Sequence, residues 1–487
     1  MTTDNRINRL EFLIRMLKQV ACLFCGVFAA GLFVADSSAQ AEPAHIQKII
    51  DDRVKARLAP AIVVGIVRKD GSKEFYSAGK LKAGATKKVD ENTIFEIASI
   101  SKVFTTLLMA QMEEQGDLKF SDHAQSFLPA GVTMPVKEGI PNRSGETPIT
   151  HITLEHLATH TSGLPKMPGN FHPKDPFNPY ADYTFQQMYD FLSSCDLKGE
   201  IGRPVYSNLG MGLLGHILEL KAGKSYEELL IVRICEPLGM ISTTTKPRPQ
   251  DAARVAGAHV GTTPVSAWDI PTLTGCGDIN STVKDMLIFA AANMGQIDTP
   301  LAKTMRRCHA PRVTSVNNLG NVPQSPMIIR LGWHAQGRPG REIIFHNGGT
   351  GGFASFMGFR PDTGEGMVIL SNSNYRGVDH IGFHLLDDGR KLDKFQKLVK
   401  IDPGILSDYL GTYRFSSDAE FTIKNEKDQL FIMMTGQQFY PIYPTGRDEF
   451  TYRAVKVRLS FIRNSKGKVD RFIMRQNGRD HKVLKTN

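Results

Sequence analysis

The sequence has little tryptophan, few cysteines and a single long apolar run. Of its 487 residues, 2 are tryptophan and 6 are cysteine, while hydrophobic residues make up 41% and charged residues 22%. These proportions exclude a collagen-like chain, a disordered chain and a protein with several membrane spans. A chain of this length is expected to fold into two or three units, each with its own core.

The cysteine and histidine patterns also argue against a metal site. The cysteines beyond the apolar run are Cys195, Cys235, Cys276 and Cys308, and they form neither a Cys-x-x-Cys pair nor a Cys/His zinc pattern. His156 and His160 lack the acidic partner of a His-Glu-x-x-His motif, so we expect them to pack in the interior. We therefore predict no metal, no cofactor and at most one or two disulfides, whose pairing the spacing leaves open.

The apolar run lies near the N-terminus. Arg6, Arg9, Arg15 and Lys18 precede "VACLFCGVFAAGLFVA" (20–35), and Ala39-Gln40-Ala41 follows. This pattern is typical of an export signal, so residues 1–41 are predicted to be a signal peptide and the protein to be periplasmic or secreted. An uncleaved membrane anchor is the alternative. No nucleic-acid motif accompanies the net charge of +10, so we predict no nucleic-acid partner and membrane contact only through this segment.

Hydrophobic periodicity divides the remaining chain into two domains. Strands are predicted at Ala61–Val67 and Glu74–Ala78, and again in "REIIFHN", "FASFMGFR" and "GMVILSN". Helical spacing dominates between them, so residues 42–390 are predicted to be an α+β domain whose sheet draws on both ends. The proline-rich segment 167–183 is predicted to be a surface loop that shapes a site. Period-two alternation predicts a separate antiparallel β-barrel over residues 401–487.

Ser99 and Lys102 lie three residues apart in "FEIASISK" (95–102). On a helix that begins at Ser99, the two side chains share one face. A serine hydroxyl needs a base to become a nucleophile, and a lysine serves as that base where burial or a neighbouring cation lowers its pKa. A capping serine followed by an ordinary helical lysine is the alternative, and this pair alone does not decide between the two.

Two further segments carry residues suited to the same chemistry. In "YSN" (206–208), the Tyr206 hydroxyl can share proton transfer and the Asn208 amide can orient a lysine and a substrate carbonyl. In "FHNGGTGGF" (345–353), His346 can face a groove, and the N–H of Gly349 with that of Ser99 can form an oxyanion hole. A phosphate-binding loop is excluded there because the Walker lysine and the Ser or Thr after it are missing.

The three segments, in this order and at these separations, resemble the penicillin-recognising serine hydrolases, in particular their class C β-lactamase and D-peptidase branch. "FEIASISK" is similar to the active-site signature of that branch, with Ala98 where glycine is usual, and "YSN" has the class C form. "LEHLATHTSGLP" and "EPLGM" are further landmarks, so the resemblance covers about residues 45–385. It implies a β-lactamase/transpeptidase-like antiparallel sheet flanked by helices, an all-helical subdomain and a small C-terminal, lipocalin-like barrel.

The resemblance also implies an activity and a set of site residues. The expected catalytic residues are Ser99, Lys102 and Tyr206, and the expected substrate-binding residues are Asn208, His346, Gly348 and Gly349. Ser99 is expected to form an acyl-enzyme and to hydrolyse an amide bond in a β-lactam ring or a D-amino-acid peptide. The substrate is thus a small molecule or a peptide, such as one derived from peptidoglycan, and the oligomeric state is left open.

The third segment departs from the β-lactamases, which carry Lys-Thr-Gly where this chain has His346-Asn347-Gly348. A lysine is cationic near neutral pH and receives a substrate carboxylate, whereas a histidine is only partly charged there. This departure argues against efficient β-lactam hydrolysis. An esterase, a penicillin-binding protein that hardly turns over and a pseudoenzyme are the alternatives.

Overall fold

The structure is a computed structural model that describes residues 43–141, 147–315, 327–338, 340–375, 377–387, 389–416, 419–435, 439–453, 457–476 and 478–486. The predicted signal peptide, residues 1–41, lies outside the described residues. Within the described ranges, every helix is too short or too polar to span a membrane.

An eight-stranded antiparallel sheet forms the centre of the N-terminal part. The strands before the C-terminal part are β1 (Ala61–Val67), β2 (Lys73–Gly79), β3 (Ile94–Glu96), β4 (Lys137–Glu138), β5 (Ile149–Thr150), β6 (His259–Val260), β7 (Thr263–Pro264), β8 (Asn280–Thr282), β9 (Val313–Ser315), β10 (Met327–Ile329), β11 (His334–Arg338), β12 (Arg341–Gly349), β13 (Ala354–Arg360) and β14 (Glu365–Ser371). The order in the sheet is β2-β1-β14-β13-β12-β11-β10-β9, while β3 pairs with β8, β4 with β5 and β6 with β7. The prediction that the sheet draws on both ends of this part of the chain is therefore confirmed.

Helices cover both faces of the sheet. The α-helices are α1 (Pro43–Lys55), α2 (Ser101–Glu114), α3 (Leu154–Ala158), α4 (Phe185–Ser194), α5 (Asn208–Ala222), α6 (Tyr226–Leu230), α7 (Glu236–Leu238), α8 (Val283–Asn293), α9 (Ala302–Cys308) and α10 (Gly377–Leu386). A Cβ at Gly65 of β1 would lie 2.4 Å from Val283 of α8, and one at Gly382 of α10 would lie 2.2 Å from Phe356 of β13. The strand register places Gly65 and Phe356 on opposite faces of the sheet, so α8 and α10 cover different faces. With both faces covered, β1 is buried along its whole length.

The C-terminal part is a closed barrel of eight antiparallel strands, which confirms the predicted fold class. Its strands are β15 (Gly411–Arg414), β16 (Glu420–Glu426), β17 (Gln429–Met434), β18 (Tyr440–Pro444), β19 (Glu449–Tyr452), β20 (Val457–Arg463), β21 (Val469–Gln476) and β22 (Arg479–Lys485). Aromatic side chains fill the interior, among them Tyr409, Tyr413, Phe461 and Phe472. The barrel therefore has a packed core of its own.

The barrel contacts the hairpin β6–β7. The Tyr443 hydroxyl lies 2.8 Å from the Thr262 hydroxyl. A Cβ at Gly261, where φ is +60°, would lie 3.1 Å from the Cβ of Arg453. The same hairpin contacts the glycine-rich turn after β12, because the His259 N–H donates to the carbonyl of Gly352 at 3.1 Å.

Two local features differ from the sequence-based expectation. The α-helix begins at Ser101 and not at Ser99, because Ala98 has φ of +51° and places Ser99 on a 3-10 turn, Ala98–Ile100. In "ITLEHLATHTSGLP" (152–165), the sequence predicts a short helix that begins after Thr153 and is ended by Gly163 and Pro165. Helix α3 instead ends at Ala158, and His160 with φ of +59° turns the chain after it. Cys195, Cys235, Cys276 and Cys308 are free thiols, which lies within the predicted limit of at most one or two disulfides.

Candidate active site

Ser99 sits on a tight turn between a buried strand and a buried helix. The Ser101 hydroxyl fixes this turn, donating to the carbonyl of Ala98 at 2.7 Å and accepting from the N–H of Ile279 at 3.1 Å. Ala98 adopts a left-handed backbone conformation that costs an L-residue about 1–2 kcal/mol. This conformation explains why glycine is usual at this position of the signature.

Lys102 is fully buried beside Ser99. Its Nζ lies 3.0 Å from Ser99 Oγ and donates to the carbonyl of Cys276 at 2.6 Å. A buried amino group needs polar partners to offset the loss of water, and these two oxygens supply them. The Nζ is therefore within proton-transfer distance of the Ser99 hydroxyl.

The ring of Tyr206 also lies near this amino group. The Lys102 Nζ is 4.9 Å from the centre of the Tyr206 ring. The centre of the His160 ring is 4.5 Å from the centre of the same Tyr206 ring. His160 Nδ1 accepts the N–H of Ser207, which caps helix α5. Burial, followed by the charge of Lys102, lowers the pKa of His160 well below its usual value, so this imidazole is neutral.

The predicted interior packing fits one of the two histidines. His160 lies buried against Tyr206, whereas the half-buried His156 completes the capping box of α3 by accepting the N–H of Thr153 at 3.1 Å. Neither side chain joins a group of three or more metal-ligating residues within the described part of the chain.

Asn208 begins helix α5 and contacts the proline-rich segment. Its Nδ2 donates to the hydroxyl of Tyr180 at 3.1 Å. Its Oδ1 is buried and accepts no hydrogen bond from any described residue. Tyr180 belongs to the segment 167–183 that the sequence predicts to be a site-shaping loop, and this contact places that segment at the site.

His346 is a buried, neutral imidazole. It is 1% exposed, and its Nδ1 donates to the carbonyl of Asn347 at 2.6 Å, which leaves a lone pair on Nε2. Burial, followed by His334 and Lys102, lowers the pKa of His346 well below its usual value. The His334 ring lies 4.8 Å away, and burial together with Lys102 lowers its pKa to about 4.

Gly348 brings the end of β12 against the segment that precedes Ser99. A Cβ at this position would lie 2.4 Å from the carbonyl oxygen of Ile97 and 3.0 Å from the Cβ of Ala98. The Ser355 hydroxyl of the neighbouring strand β13 donates to the same carbonyl at 2.7 Å. Gly349 is the next residue of the strand, so its peptide unit lies beside the turn that carries Ser99.

The structure thus brings all seven predicted site residues into one region. Sequence reasoning missed several side chains there, namely Glu96, His334, Tyr180 and Trp268. Glu96 lies inside the "FEIASISK" motif, between the apolar residues Phe95 and Ile97. Its burial next to Ser99 could therefore have been predicted from the sequence. His334 stands in no motif, and only the pairing of β11 with β12 places it next to His346.

Family models divide the chain in two. A model described as Beta-lactamase matches residues 46–388, and a model described as a domain of unknown function (DUF3471) matches residues 396–485. The chain belongs to the β-lactamase family. As a member, it is an enzyme of the serine hydrolase type.

Two relatives are at least 25% identical to this β-lactamase family member over the aligned residues. The D-alanyl-D-alanine-carboxypeptidase/endopeptidase AmpH of Escherichia coli is 29% identical over 72% of this chain and 90% of the relative. Penicillin-binding protein 4* of Bacillus subtilis is 25% identical over 84% of this chain and 92% of the relative. The second alignment extends beyond the length of the Beta-lactamase match.

Solved structures confirm the fold. A class C β-lactamase from Rhodobacter sphaeroides superposes with a TM-score of 0.59 at 23% identity, covering 71% of this chain and 98% of the other. A β-lactamase/D-alanine carboxypeptidase from Yersinia pestis superposes with a TM-score of 0.58 at 22% identity, covering 70% and 97%.

The left-handed conformation of Ala98 generates a stability prediction. Ala98→Gly removes the Cβ penalty and is expected to raise the free energy of unfolding by about 0.5–1 kcal/mol, after the extra flexibility of the unfolded chain is counted. Ala44→Gly, at an exposed position of α1, should instead lower it by roughly 0.5 kcal/mol. Urea unfolding measures both changes, and a loss of stability in Ala98→Gly would contradict the account of this turn.

Proposed function

We propose that the protein is an exported serine hydrolase that forms an acyl-enzyme on Ser99 and cleaves an amide bond next to a D-amino acid. The observation that carries the proposal is the 3.0 Å contact between the Ser99 hydroxyl and the fully buried Nζ of Lys102. The export segment is residues 1–41, the hydrolase domain residues 42–390 and the barrel domain residues 401–487.

In the acylation step, Ser99 Oγ attacks the substrate carbonyl carbon. Its proton passes by way of the Lys102 Nζ, with Tyr206, to the leaving nitrogen, whose bond to the carbonyl carbon breaks. The N–H groups of Ser99 and Gly349 stabilise the oxyanion. The nearness of Gly348 to Ile97 and Ala98 supports this pairing, because Gly349 follows Gly348 and Ser99 follows Ala98 along the chain.

In the second step, water attacks the ester carbonyl of the acyl-enzyme. Tyr206 and Lys102 accept the proton of this water, and the proton returns to Ser99 Oγ as the ester bond breaks. Asn208 and His346 orient the substrate, with the buried Asn208 Oδ1 and the His346 Nε2 lone pair as acceptors. No cofactor takes part in these steps.

The neutral state of His346 guides the choice of substrate. An uncharged imidazole gives a carboxylate no ionic partner at the position where β-lactamases have a lysine. This favours an internal peptide bond over a β-lactam, and the combined carboxypeptidase and endopeptidase name of the Escherichia coli relative supports a peptide. An ester is the second candidate, because an uncharged pocket accepts it equally well.

Ser99→Ala tests the nucleophile. Its turnover of the preferred substrate is expected to fall by at least about a thousandfold, because no other hydroxyl takes the place of the nucleophile. The panel consists of nitrocefin, D-alanyl peptides and short-chain aryl esters, and Ser77→Ala at an exposed position of β2 is the control. Full activity of Ser99→Ala on every substrate would defeat the proposal, and turnover of esters alone would defeat its peptidase form.

Lys102→Ala tests the base. Acylation of Ser99 by penicillin, followed by mass spectrometry of the intact protein, is expected to slow by about a hundredfold or more, because the hydroxyl loses its proton acceptor. Lys119→Ala, at an exposed position, should acylate at the wild-type rate. Circular dichroism checks that both variants are folded. A folded Lys102→Ala protein with wild-type acylation would remove Lys102 from the role of base.

His346→Lys tests the electrostatic argument. A cation at this position is expected to raise kcat/KM about tenfold for carboxylate-bearing β-lactams, the effect of one hydrogen bond to a charged group. It should not raise kcat/KM for neutral aryl esters. His346→Gln, which adds no charge, serves as the matched control. Equal changes on both substrate types would show that charge at this position does not select the substrate.

A further inference from the structure

Glu96 is a buried carboxyl that the proposed reaction does not use. It ends strand β3 three residues before Ser99 and is 6% exposed. Its Oε1 accepts the N–H of Trp268 at 2.9 Å. The Thr350 hydroxyl also faces the carboxyl and favours its ionised form, although Oε2 makes no well-formed hydrogen bond with any described residue. One carboxyl therefore joins the segment of Ser99 to two other segments of the site.

Trp268 covers the turn that follows β12. A Cβ at Gly351 would lie 2.6 Å from Trp268 Nε1, so the indole rests on this glycine. The indole also packs against Tyr180, at 5.2 Å between ring centres, and the Tyr180 hydroxyl accepts a hydrogen bond from Asn208. These contacts connect the side of the site that carries Asn208 to the side that carries the glycines. The connecting residues are here called the aromatic wall; they are Tyr180, Trp268 and Gly351.

The charged groups around Glu96 are mainly carboxyls. Burial raises the pKa of Glu96 to about 7, and the charge of Asp269 adds to this. Asp278 accepts the N–H of Ile270 at 3.1 Å, and burial raises its pKa to about 8, with further contributions from Asp269 and Glu96. The Nζ of Lys246 lies 3.7 Å from Asp269, which is more exposed than Glu96 and Asp278.

We propose that Glu96 is a positioning residue whose neutral carboxyl holds the aromatic wall closed over one end of the substrate groove, and whose ionisation releases the wall. This inference rests on the proposed function of Ser99. An ionised carboxylate without a cation in contact is costly to bury, so water has to reach it. Water can enter when the backbone of Trp268 and the turn of Thr350 move away from Glu96.

The sign of the pH effect follows from linkage. The folded protein binds the proton of Glu96 more tightly than the unfolded chain does, because the pKa is raised in the folded state. The stability that the closed wall contributes is therefore fully present below the unfolded pKa and is lost as the pH rises through about 7. At acidic pH the wall is expected to be closed and to complete the end of the groove that binds the substrate, and at alkaline pH it is expected to be released.

Tryptophan fluorescence tests the movement without any need for catalysis. Trp333, the second of the 2 tryptophans, is 1% exposed, so acrylamide quenches mainly Trp268. Quenching of the wild type is expected to rise severalfold as the pH rises, with a midpoint of about 7. Glu96→Gln should keep quenching low throughout, and Trp268→Phe identifies the signal. Quenching that does not depend on pH, or an unchanged midpoint in Glu96→Gln, would overturn the proposal.

Two further variants sharpen this test. Glu138→Gln removes an exposed carboxyl of β4 and should leave the midpoint in place. Asp269→Asn removes a negative charge that raises the pKa of Glu96, so the midpoint should move to lower pH. Because Asp269 is more than half exposed, this variant is expected to fold even if Glu96→Gln does not. An unmoved midpoint in Asp269→Asn would also contradict the proposal.

Steady-state kinetics separates positioning from a merely structural role. One pH unit above the midpoint, about a tenth of the molecules keep the wall closed, so the KM of the wild type is expected to rise about tenfold. The KM of Glu96→Gln should change far less over the same range. If the quenching of Trp268 changes with pH as expected but no turnover depends on Ser99, only the proposed function would be refuted. Ser99-dependent turnover with fluorescence that ignores pH would refute only the role of Glu96.

Discussion

The arrangement of the site depends on one buried amino group. Lys102 is fully buried, and its Nζ is satisfied by the Ser99 hydroxyl and the carbonyl of Cys276. An amino group in such surroundings repels every other cation, and burial alone already favours neutral imidazoles. His160, His334 and His346 therefore all have lowered pKa values, with Lys102 among the causes in each case. The site contains several basic side chains, but one of them is placed to exchange a proton with Ser99.

Backbone contacts at glycine positions hold this amino group and the serine in register with the sheet. Gly348 lets β12 lie against the carbonyl of Ile97, and a larger residue would collide with it. The Ser355 hydroxyl bonds to the same carbonyl from the neighbouring strand β13. The turn of Ser99 is thus fixed by the central sheet on one side and by the Ser101 hydroxyl on the other. A rigid support of this kind suits a reaction that depends on distances within a hydrogen bond.

The sequence allowed the prediction of those features that depend on local pattern. The bounds of β1 agree with the apolar run Ala61–Val67 because both faces of this strand are buried. Ser99 and Lys102 were paired because their spacing is short, and the convergence of three distant segments rested on the family resemblance. The partners that the sequence did not predict are of two kinds. The carbonyl of Cys276 is a backbone group that carries no residue signature, and His334 reaches His346 only through strand pairing.

The charge state of His346 and the conformation of Ala98 were equally hidden from sequence reasoning. The sequence indicates a partly charged histidine, because the usual pKa of this side chain lies near neutral pH. Burial next to Lys102 makes it neutral, and burial is a property of the whole fold. Similarly, the spacing of Ser99 and Lys102 fits a continuous helix, whereas the left-handed Ala98 confines Ser99 to a short turn. In both cases tertiary packing decided what local pattern left open.

The barrel has a packed hydrophobic core of its own. Its contacts with the hydrolase part include the hairpin β6–β7, through the hydroxyls of Tyr443 and Thr262, and Arg57, whose guanidinium lies 5.8 Å from the centre of the Tyr443 ring. His259 of this hairpin is held by a hydrogen bond from its Nδ1 to the carbonyl of Asn372, and its N–H bonds to Gly352. The barrel therefore contacts an element that also supports the glycine-rich turn. The barrel is thus linked to the rim of the groove through this hairpin, whereas the turn of Ser99 is held by the central sheet.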